Sequence, residues 1–334
     1  MPSREWRGEG ASRRQRLTFF ALLLLVAALP VGAFLWATDT PGSSYQDHLA
    51  EPVDNELADR LRTHVEILAA SPRNLQKPTS IVAASTYIEG QLALLGYEVE
   101  RQPVLDPANN LIVTLAATTR DAPVLIIGAH YDSFGNAPGA DDNASGTAAL
   151  LELARLLRNF RGRMEIRLVF WANEEPPYFK TTAMGSLVHA QSLEDDRHVV
   201  GAISLETMGY FDDRKGSQQY PFPLSVRYPD TGNFIAFVGD LSARSFLRES
   251  IGAFREHARI PSVGGTAPSF VQGIDWSDHW AYSREGIPAF MVTDTALFRN
   301  PNYHQTTDTP ETLDYRRLAL VVEALASLTG DIRG

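Results

Sequence analysis

Hydrophobic and polar positions change period several times along this chain, and each change marks an expected element. Residues 17–36 form an uncharged, mostly apolar run of 20. At 1.5 Å per residue a helix of that length reaches roughly 30 Å, the thickness of the hydrocarbon layer of a bilayer. Residues 37–54, ATDTPGSSYQDHLAEPVD, are polar and turn-rich and read as a linker. Beyond them Leu57, Leu61, Val65 and Leu68 recur at helical spacing, which predicts a helix over 56–70. A second helix is expected over 80–95, and strands over 97–103 and 110–116. PVLIIGA at 123–129 is apolar without a break, the pattern of a strand buried on both faces. Further along, helices are expected at 146–157, 184–193, 241–257, 277–285 and 310–328. Strands are expected at 164–171, 199–205, 234–238 and 287–292. Segments 211–232 and 258–276 read as long loops, which in compact domains often border a site. Strand and helix in turn predict one α/β domain, with helices on both faces of a mostly parallel sheet.

Charge changes the picture at the N-terminus. Arg4, Arg7, Arg13, Arg14 and Arg16 oppose only Glu5 and Glu9, a local +3 that leaves −13 on the remainder of a chain whose total is −10. A basic flank ahead of an apolar run predicts that this end stays in the cytoplasm. The expected organisation is a basic cytoplasmic tail at 1–16, a transmembrane signal anchor at 17–36, a linker at 37–54 and a folded domain at 55–334 outside the cytoplasm. The run exceeds the ~7–15 residues of an ordinary signal-peptide core. Cleavage near Val31-Gly32-Ala33 or Ala37, with release of an exported domain, is the alternative. The acidic body argues against nucleic acid as a partner. The chain has no cysteine, which excludes disulfides, a cysteine nucleophile and thiolate metal sites. No Gly-x-Ser-x-Gly elbow and no phosphate-binding Gly-x-x-x-x-Gly-Lys loop is present.

In an open α/β sheet, ligands bind beyond the carboxyl ends of the strands. Here several of those ends carry the same chemistry. The strand at 123–129 runs into His130-Tyr131-Asp132-Ser133, and Asp141-Asp142-Asn143-Ala144-Ser145-Gly146 opens the next helix. The strand at 164–171 ends in Ala172-Asn173-Glu174-Glu175. The strand at 199–205 ends in Glu206, and the loop after 287–292 carries His304. Imidazole and carboxylate without thiol suit zinc, and less selectively manganese or cobalt. His130, His304, Asp141, Glu175 and Glu206 are the candidate ligands. Three carboxylates cancel most of the charge of two divalent ions, and one can bridge a pair ~3.5–4 Å apart. Of adjacent Glu174 and Glu175, one can ligate while the other faces substrate as a base. Asp132, two residues after His130 on extended backbone, shares its face and can hold its second ring nitrogen.

The strings GAHYDS, APGADDNASG, WANEE, SLETMGY, SDHWAYSREGIPAF and NPNYHQTTDT together resemble the co-catalytic zinc aminopeptidases of the metallopeptidase family 28 type. That superfamily also holds glutamate carboxypeptidase and the glutaminyl-cyclase fold. The resemblance covers about residues 55–330. It implies a three-layer α/β/α sandwich around a mixed eight-stranded sheet, and two zinc ions. It implies that His130 and Glu206 bind one zinc, Glu175 and His304 the other, and that Asp141 bridges both. Glu174 becomes the general base and Asp132 the partner of His130. The Asp141–Asp142 bond is expected to be cis. Peptides with a free N-terminus are the implied substrates. Three features depart from the pattern. Glu206 stands where secreted bacterial aminopeptidases often have Asp, and Glu also occurs in the cyclase branch. The segment from Pro176 to Ser186 is longer than the usual link and sits beside the base. No protease-associated insert is present. Ser277-Asp278-His279 matches a polar stretch near the site, expected to support it without ligating. His48, His64, His189, His198 and His257 have no motif context and are expected on the surface or in helices. The alternatives are a glutaminyl cyclase with one functional zinc, and a dipeptidase or carboxypeptidase, which would need a cationic pocket. A metal-free receptor on the same fold would have lost ligands that are all filled here.

Overall fold

A computed structural model describes residues 13–46, 52–119, 121–193 and 198–332; the side chains of 15, 16, 20–25 and 27 lie outside that description. The chain divides into two units, Met1–Asp39 and Thr40–Gly334. The first contains helix α1, Arg13–Thr38, with Pro30 inside it. Among the described residues no helix is long and apolar enough to cross a membrane. The expected span at 17–36 falls partly on undescribed side chains, and most of the expected basic tail lies outside the described residues.

In the second unit, α2 (Asn55–Leu68) and α3 (Pro78–Leu94) precede β1 (Glu100–Leu105), β2 (Ala108–Leu115) and β3 (Val124–His130). Then come α4 (Gly146–Leu156), β4 (Glu165–Trp171), α5 (Gly185–Gln191), β5 (Val199–Glu206), β6 (Asp212–Lys215), β7 (Thr231–Gly232) and β8 (Ile235–Asp240). The chain ends with α6 (Arg244–His257), β9 (Ser262–Ala267), α7 (His279–Arg284), β10 (Ala289–Thr293) and α8 (Tyr315–Leu328). Asp54 caps α2 by accepting from the Leu57 amide at 2.9 Å, and the four leucine and valine positions of the expected stripe are all buried.

The central sheet has eight strands in the order β1-β2-β4-β3-β5-β10-β8-β9. Pairs β3–β4, β3–β5, β5–β10 and β8–β9 are parallel; β1–β2, β2–β4 and β8–β10 are antiparallel. The sheet is therefore more mixed than the mostly parallel expectation. β3 shows how its unbroken apolar run is used. Leu125, Ile127 and Ala129 enter a core built with α2, α3, α4, α6 and α8. Val124 and Ile126 enter a smaller core with α5 and α7 on the opposite face. Three layers result. β3 lies between β4 and β5, so chain order reverses there, and the crevice at these strand ends is where a ligand is expected.

Three segments differ from the sequence reading. β9 lies inside the expected loop 258–276. It was hidden because it reads SVGGTA, yet a Cβ on Gly264 would meet Ile251 Cδ1 at 2.6 Å, so glycine is what lets this edge strand pack on α6. The loop at 211–232 contains the small β6–β7 ladder. The expected linker is also partly ordered. Arg255 donates to Thr40 Oγ1 at 3.0 Å and to the Pro41 carbonyl at 2.7 Å, and the Ser262 amide donates to Ser44 Oγ at 2.9 Å. This strap along α6 and β9 makes the compact unit begin at Thr40, ahead of 55; residues 47–51 lie outside the described residues.

Candidate metal centre

Three strand ends and two loops bring the polar residues together. His130 ends β3 and is fully buried; Glu206 ends β5 and is 5% exposed. Glu174 and Glu175 follow β4, and His304 lies in the loop before α8. His130 Nε2 stands 3.3 Å from Glu206 Oε2 and 3.4 Å from Asp142 Oδ1. His304 Nε2 stands 3.0 Å from Asp142 Oδ2 and 3.3 Å from Glu175 Oε2. These are two donor groups, His130–Asp142–Glu206 and Asp142–Glu175–His304, sharing one carboxylate.

The shared residue is Asp142, not the expected Asp141, and the cis bond joins Asp142 to Asn143, not Asp141 to Asp142. The physical reason is that the Asp141 carboxylate is already occupied elsewhere. Its Oδ1 accepts from the Gly209 amide at 2.9 Å and its Oδ2 from Asn300 Nδ2 at 2.7 Å. The turn that presents Asp142 is gripped from across the chain. Asp308 accepts from the Asp141 and Asp142 amides at 2.9 and 3.1 Å. Gly139 enters the turn in the left-handed region, φ 66°, where a Cβ would meet the Asp142 carbonyl at 2.3 Å. Asn143 then donates to the Leu205 carbonyl at 2.8 Å and ties the turn to β5.

The remaining candidates surround these groups. Asp132 Oδ1 lies 3.4 Å from His130 Nδ1, and the Asp132 carboxylate accepts from the Glu174 and Glu175 amides, each at 3.1 Å. One carboxylate thus faces the histidine and fixes the backbone of both glutamates. Glu174 Oε2 is 3.9 Å from His130 Nε2 and belongs to neither donor group. Ser277 Oγ donates to Glu206 Oε2 at 2.8 Å, and His279 is bonded to the Ile274 carbonyl at 2.7 Å. The His304 ring is stacked on Phe134 at 4.1 Å and on Tyr303 at 3.9 Å; two rings that close must occupy opposite faces, so it is sandwiched. Asp308, Asn300 and Phe134 escaped the sequence reading. All three lie within or beside strings already recognised, and residence in those strings was the available signal.

Whether metal fits can be tested on the polar atoms themselves. Both His130 nitrogens, Asp142 Oδ2 and Glu175 Oε1 are buried without a hydrogen-bond partner. Each such orphan costs about 1–3 kcal/mol. Donors about 2.0–2.1 Å from a tetrahedral zinc stand roughly 3.3–3.4 Å apart, which matches the His–carboxylate separations in both groups. Without a cation, protons must take its place. Burial lowers the His130 imidazole, but Glu206, Glu174 and Asp132 outweigh it and hold it well above its ordinary value. His304 is pushed up to about 10 by Asp142 and Glu175 against its burial. Burial, then Asp142, pushes Glu175 up to about 8. Burial, with Glu206 and Glu175 beside it, raises Glu174 as well. The residues fit divalent metal bound by nitrogen and oxygen.

The other histidines lie elsewhere. His64 and His189 are on helices, as expected, but buried: His64 beside Glu152, and His189 Nδ1 2.6 Å from the Tyr282 hydroxyl. His198 is exposed and His257 pairs with Asp331 on the surface; His48 lies outside the described residues.

Fold and site together define an α/β protein with a candidate metal centre of nitrogen and oxygen donors at its strand ends. The sequence profile of Peptidase family M28 matches residues 110–329. The protein YfbL of Escherichia coli (strain K12) is 38% identical over 94% of this chain and 98% of its own length. A probable leucine aminopeptidase of Trichophyton verrucosum is 29% identical over 66% of this chain, which spans 56% of that protein. Among solved structures, LapB from Legionella pneumophila superposes with a TM-score of 0.64 at 19% identity, over 90% of this chain and 80% of that one. A Bacteroides thetaiotaomicron glutaminyl cyclase bound to N-acetylhistamine superposes with a TM-score of 0.61 at 17% identity, over 83% and 98%. At those identities the superpositions speak for the fold. The chain belongs to Peptidase family M28.

Proposed function

We propose that this protein is a two-zinc aminopeptidase that removes an apolar residue from the free N-terminus of a peptide. The observation that carries the reading is the pair of donor groups sharing Asp142, with Glu174 unliganded beside them. His130, Asp142 and Glu206 would hold one ion, and Asp142, Glu175 and His304 the other. Two such ions would bring the pKa of a water toward neutrality and polarise the scissile carbonyl.

The chain's own residues supply the rest. Glu174 accepts the proton of the attacking water and passes it to the leaving amine. Asp132 keeps the Glu174 backbone and the His130 ring in register. Acidic side chains around the centre favour a protonated α-amine. A cavity opens from Glu206 between Ile274, Trp276, Met291, Phe298 and Tyr303, and among the described residues Glu206 is its one charged lining residue. Such a wall receives an apolar side chain and lacks the cation that an acidic dipeptide or a C-terminal carboxylate would need. The filled second donor group favours hydrolysis over a one-zinc cyclase.

The test is a panel of free-amine, N-acetylated and N-terminal-Gln peptides, offered to protein that has been chelated and then restored with zinc. Zinc-dependent release of apolar residues from the free-amine peptides alone is expected. Cyclisation of the Gln peptide without cleavage would move the protein to the glutaminyl-cyclase reading. For location we propose a retained signal anchor at 17–36 with the peptidase outside the cytoplasm, supported by the uncharged run and its basic flank. Membrane fractions should hold full-length protein of intact mass; a shortened, freely released chain would show cleavage.

A further inference from the structure

The structure shows where the segment that follows the glutamate pair leads. Pro176, Pro177 and Tyr178 leave Glu175 along a cleft wall beside Gly135. Lys180 takes a left-handed backbone, φ 58°, and its amide donates to Met184 Sδ at 3.3 Å. Its ammonium then reaches Asp275 Oδ2 at 2.5 Å. The same ammonium lies 5.2 Å from the centre of the Phe179 ring and 5.4 Å from that of Trp280. An ammonium between a carboxylate and two aromatic faces is held more firmly than a surface ion pair. The side chains are 29% and 20% exposed, so the pair is only partly solvated.

Asp275 occupies a telling position. Its neighbours Ile274 and Trp276 both line the apolar cavity. Two residues on, Ser277 donates to Glu206. The strip 274–277 is therefore anchored to the metal centre at one end, through Glu206, and to Lys180 beside it. Lys180 lies six residues after Glu174, on the segment that leaves the base.

We propose that the Lys180–Asp275 pair is a latch joining the segment after the general base to the wall of the apolar cavity, so that it sets the size of N-terminal side chain the cavity admits. Both are positioning residues. They touch no reacting atom and act through Ile274 and Trp276. The part concerning substrate rests on the aminopeptidase reading; the latch itself does not.

The experiment uses the zinc-loaded full chain and the variants Lys180→Met, Asp275→Asn, Lys180→Arg and the exchange Lys180→Asp with Asp275→Lys. The peptides differ only in their first residue, Ala, Leu or Phe. Each neutralising variant should raise KM for the Leu and Phe peptides by about fivefold to tenfold, the lower range for a small misfit in an apolar pocket. KM for the Ala peptide and all kcat values should stay within about twofold. Lys180→Arg should restore the wild-type pattern, and the exchange should restore it in part. Amide hydrogen exchange, read without substrate, should quicken over 268–278 in both neutralising variants and not in Lys180→Arg. Wild-type exchange over 268–278 in the neutralising variants would overturn the latch. Faster exchange with an unchanged ratio of KM values would overturn its role in selection. So would an equal loss of kcat across all three peptides. A zinc-loaded wild-type protein that releases no residue from any peptide would instead overturn the aminopeptidase reading, and with it the role in selection, while the exchange result still decides the latch.

Discussion

This protein buries two histidine–glutamate clusters, and they are built in opposite ways. In the first, Glu152 receives Arg155 Nε at 2.6 Å, Arg60 Nε at 3.1 Å and His64 Nε2 at 3.2 Å, while His64 Nδ1 meets the Tyr87 hydroxyl at 2.7 Å. Burial alone would raise this carboxyl, yet His64, Arg155 and Arg60 bring it down to about 2. Every charge has its counter-charge within the protein. In the second, Asp142, Glu175 and Glu206 face His130 and His304, and among the described residues no arginine or lysine donates to those carboxylates. Both nitrogens of His130 are left over. A buried charge that is fully paired is architecture. Buried donors left facing one another are held by the fold for something it does not itself contain.

The largest effect should separate the two adjacent aspartates. Asp142→Asn removes the carboxylate common to both groups and should lower turnover by roughly a thousandfold or more, with loss of bound zinc. Asp141→Asn disturbs only the support of the turn and should cost about tenfold to a hundredfold. Metal content and turnover of the two variants decide it; the reverse order would return the bridging role to Asp141. Glu174→Gln comes next. It should keep its metal and lose about a hundredfold to ten-thousandfold in kcat, because proton transfer and not ligation is removed. Near-normal turnover would take Glu174 out of that role.

The smallest effect on chemistry belongs to the other cluster. Glu152→Gln should leave zinc content and turnover unchanged and cost about 1–3 kcal/mol of stability, since it takes the buried acceptor from Arg155 and His64 and leaves Arg60 with Glu56 alone. The sign with pH follows from a folded-state pKa below the unfolded one. The Glu152 contribution is complete above about pH 4.5 and is lost as pH falls toward 2. Denaturant titrations of wild type and variant should therefore converge over that interval. Parallel curves would mean that Glu152 is not the titrating group.

Much of this was legible from residue order. Apolar stripes placed most helices and strands to within a few residues. His130, Glu175, Glu206 and His304 could be picked out because strand ends in an α/β sheet converge on one crevice. Asp141 and Asp142 could not be told apart that way. Neighbouring side chains in a turn point apart, and which one faces the crevice depends on Gly139 and on a grip from Asp308, 166 residues away. β9 was missed because its two glycines and small polar residues carry no hydrophobic signal. They serve close packing on α6.

The sequence alone determined the layers, the strand faces and the kinds of donor that meet, because hydrophobic periodicity and strand-end position are local properties read along the chain. Only the tertiary structure decided which aspartate is shared, which histidine–glutamate cluster is satisfied, and that the segment after Glu175 ties itself to the cavity wall through Lys180 and Asp275. Those outcomes depend on hydrogen-bond and charge partners far apart in sequence, and a partner exists only once the chain has closed upon itself.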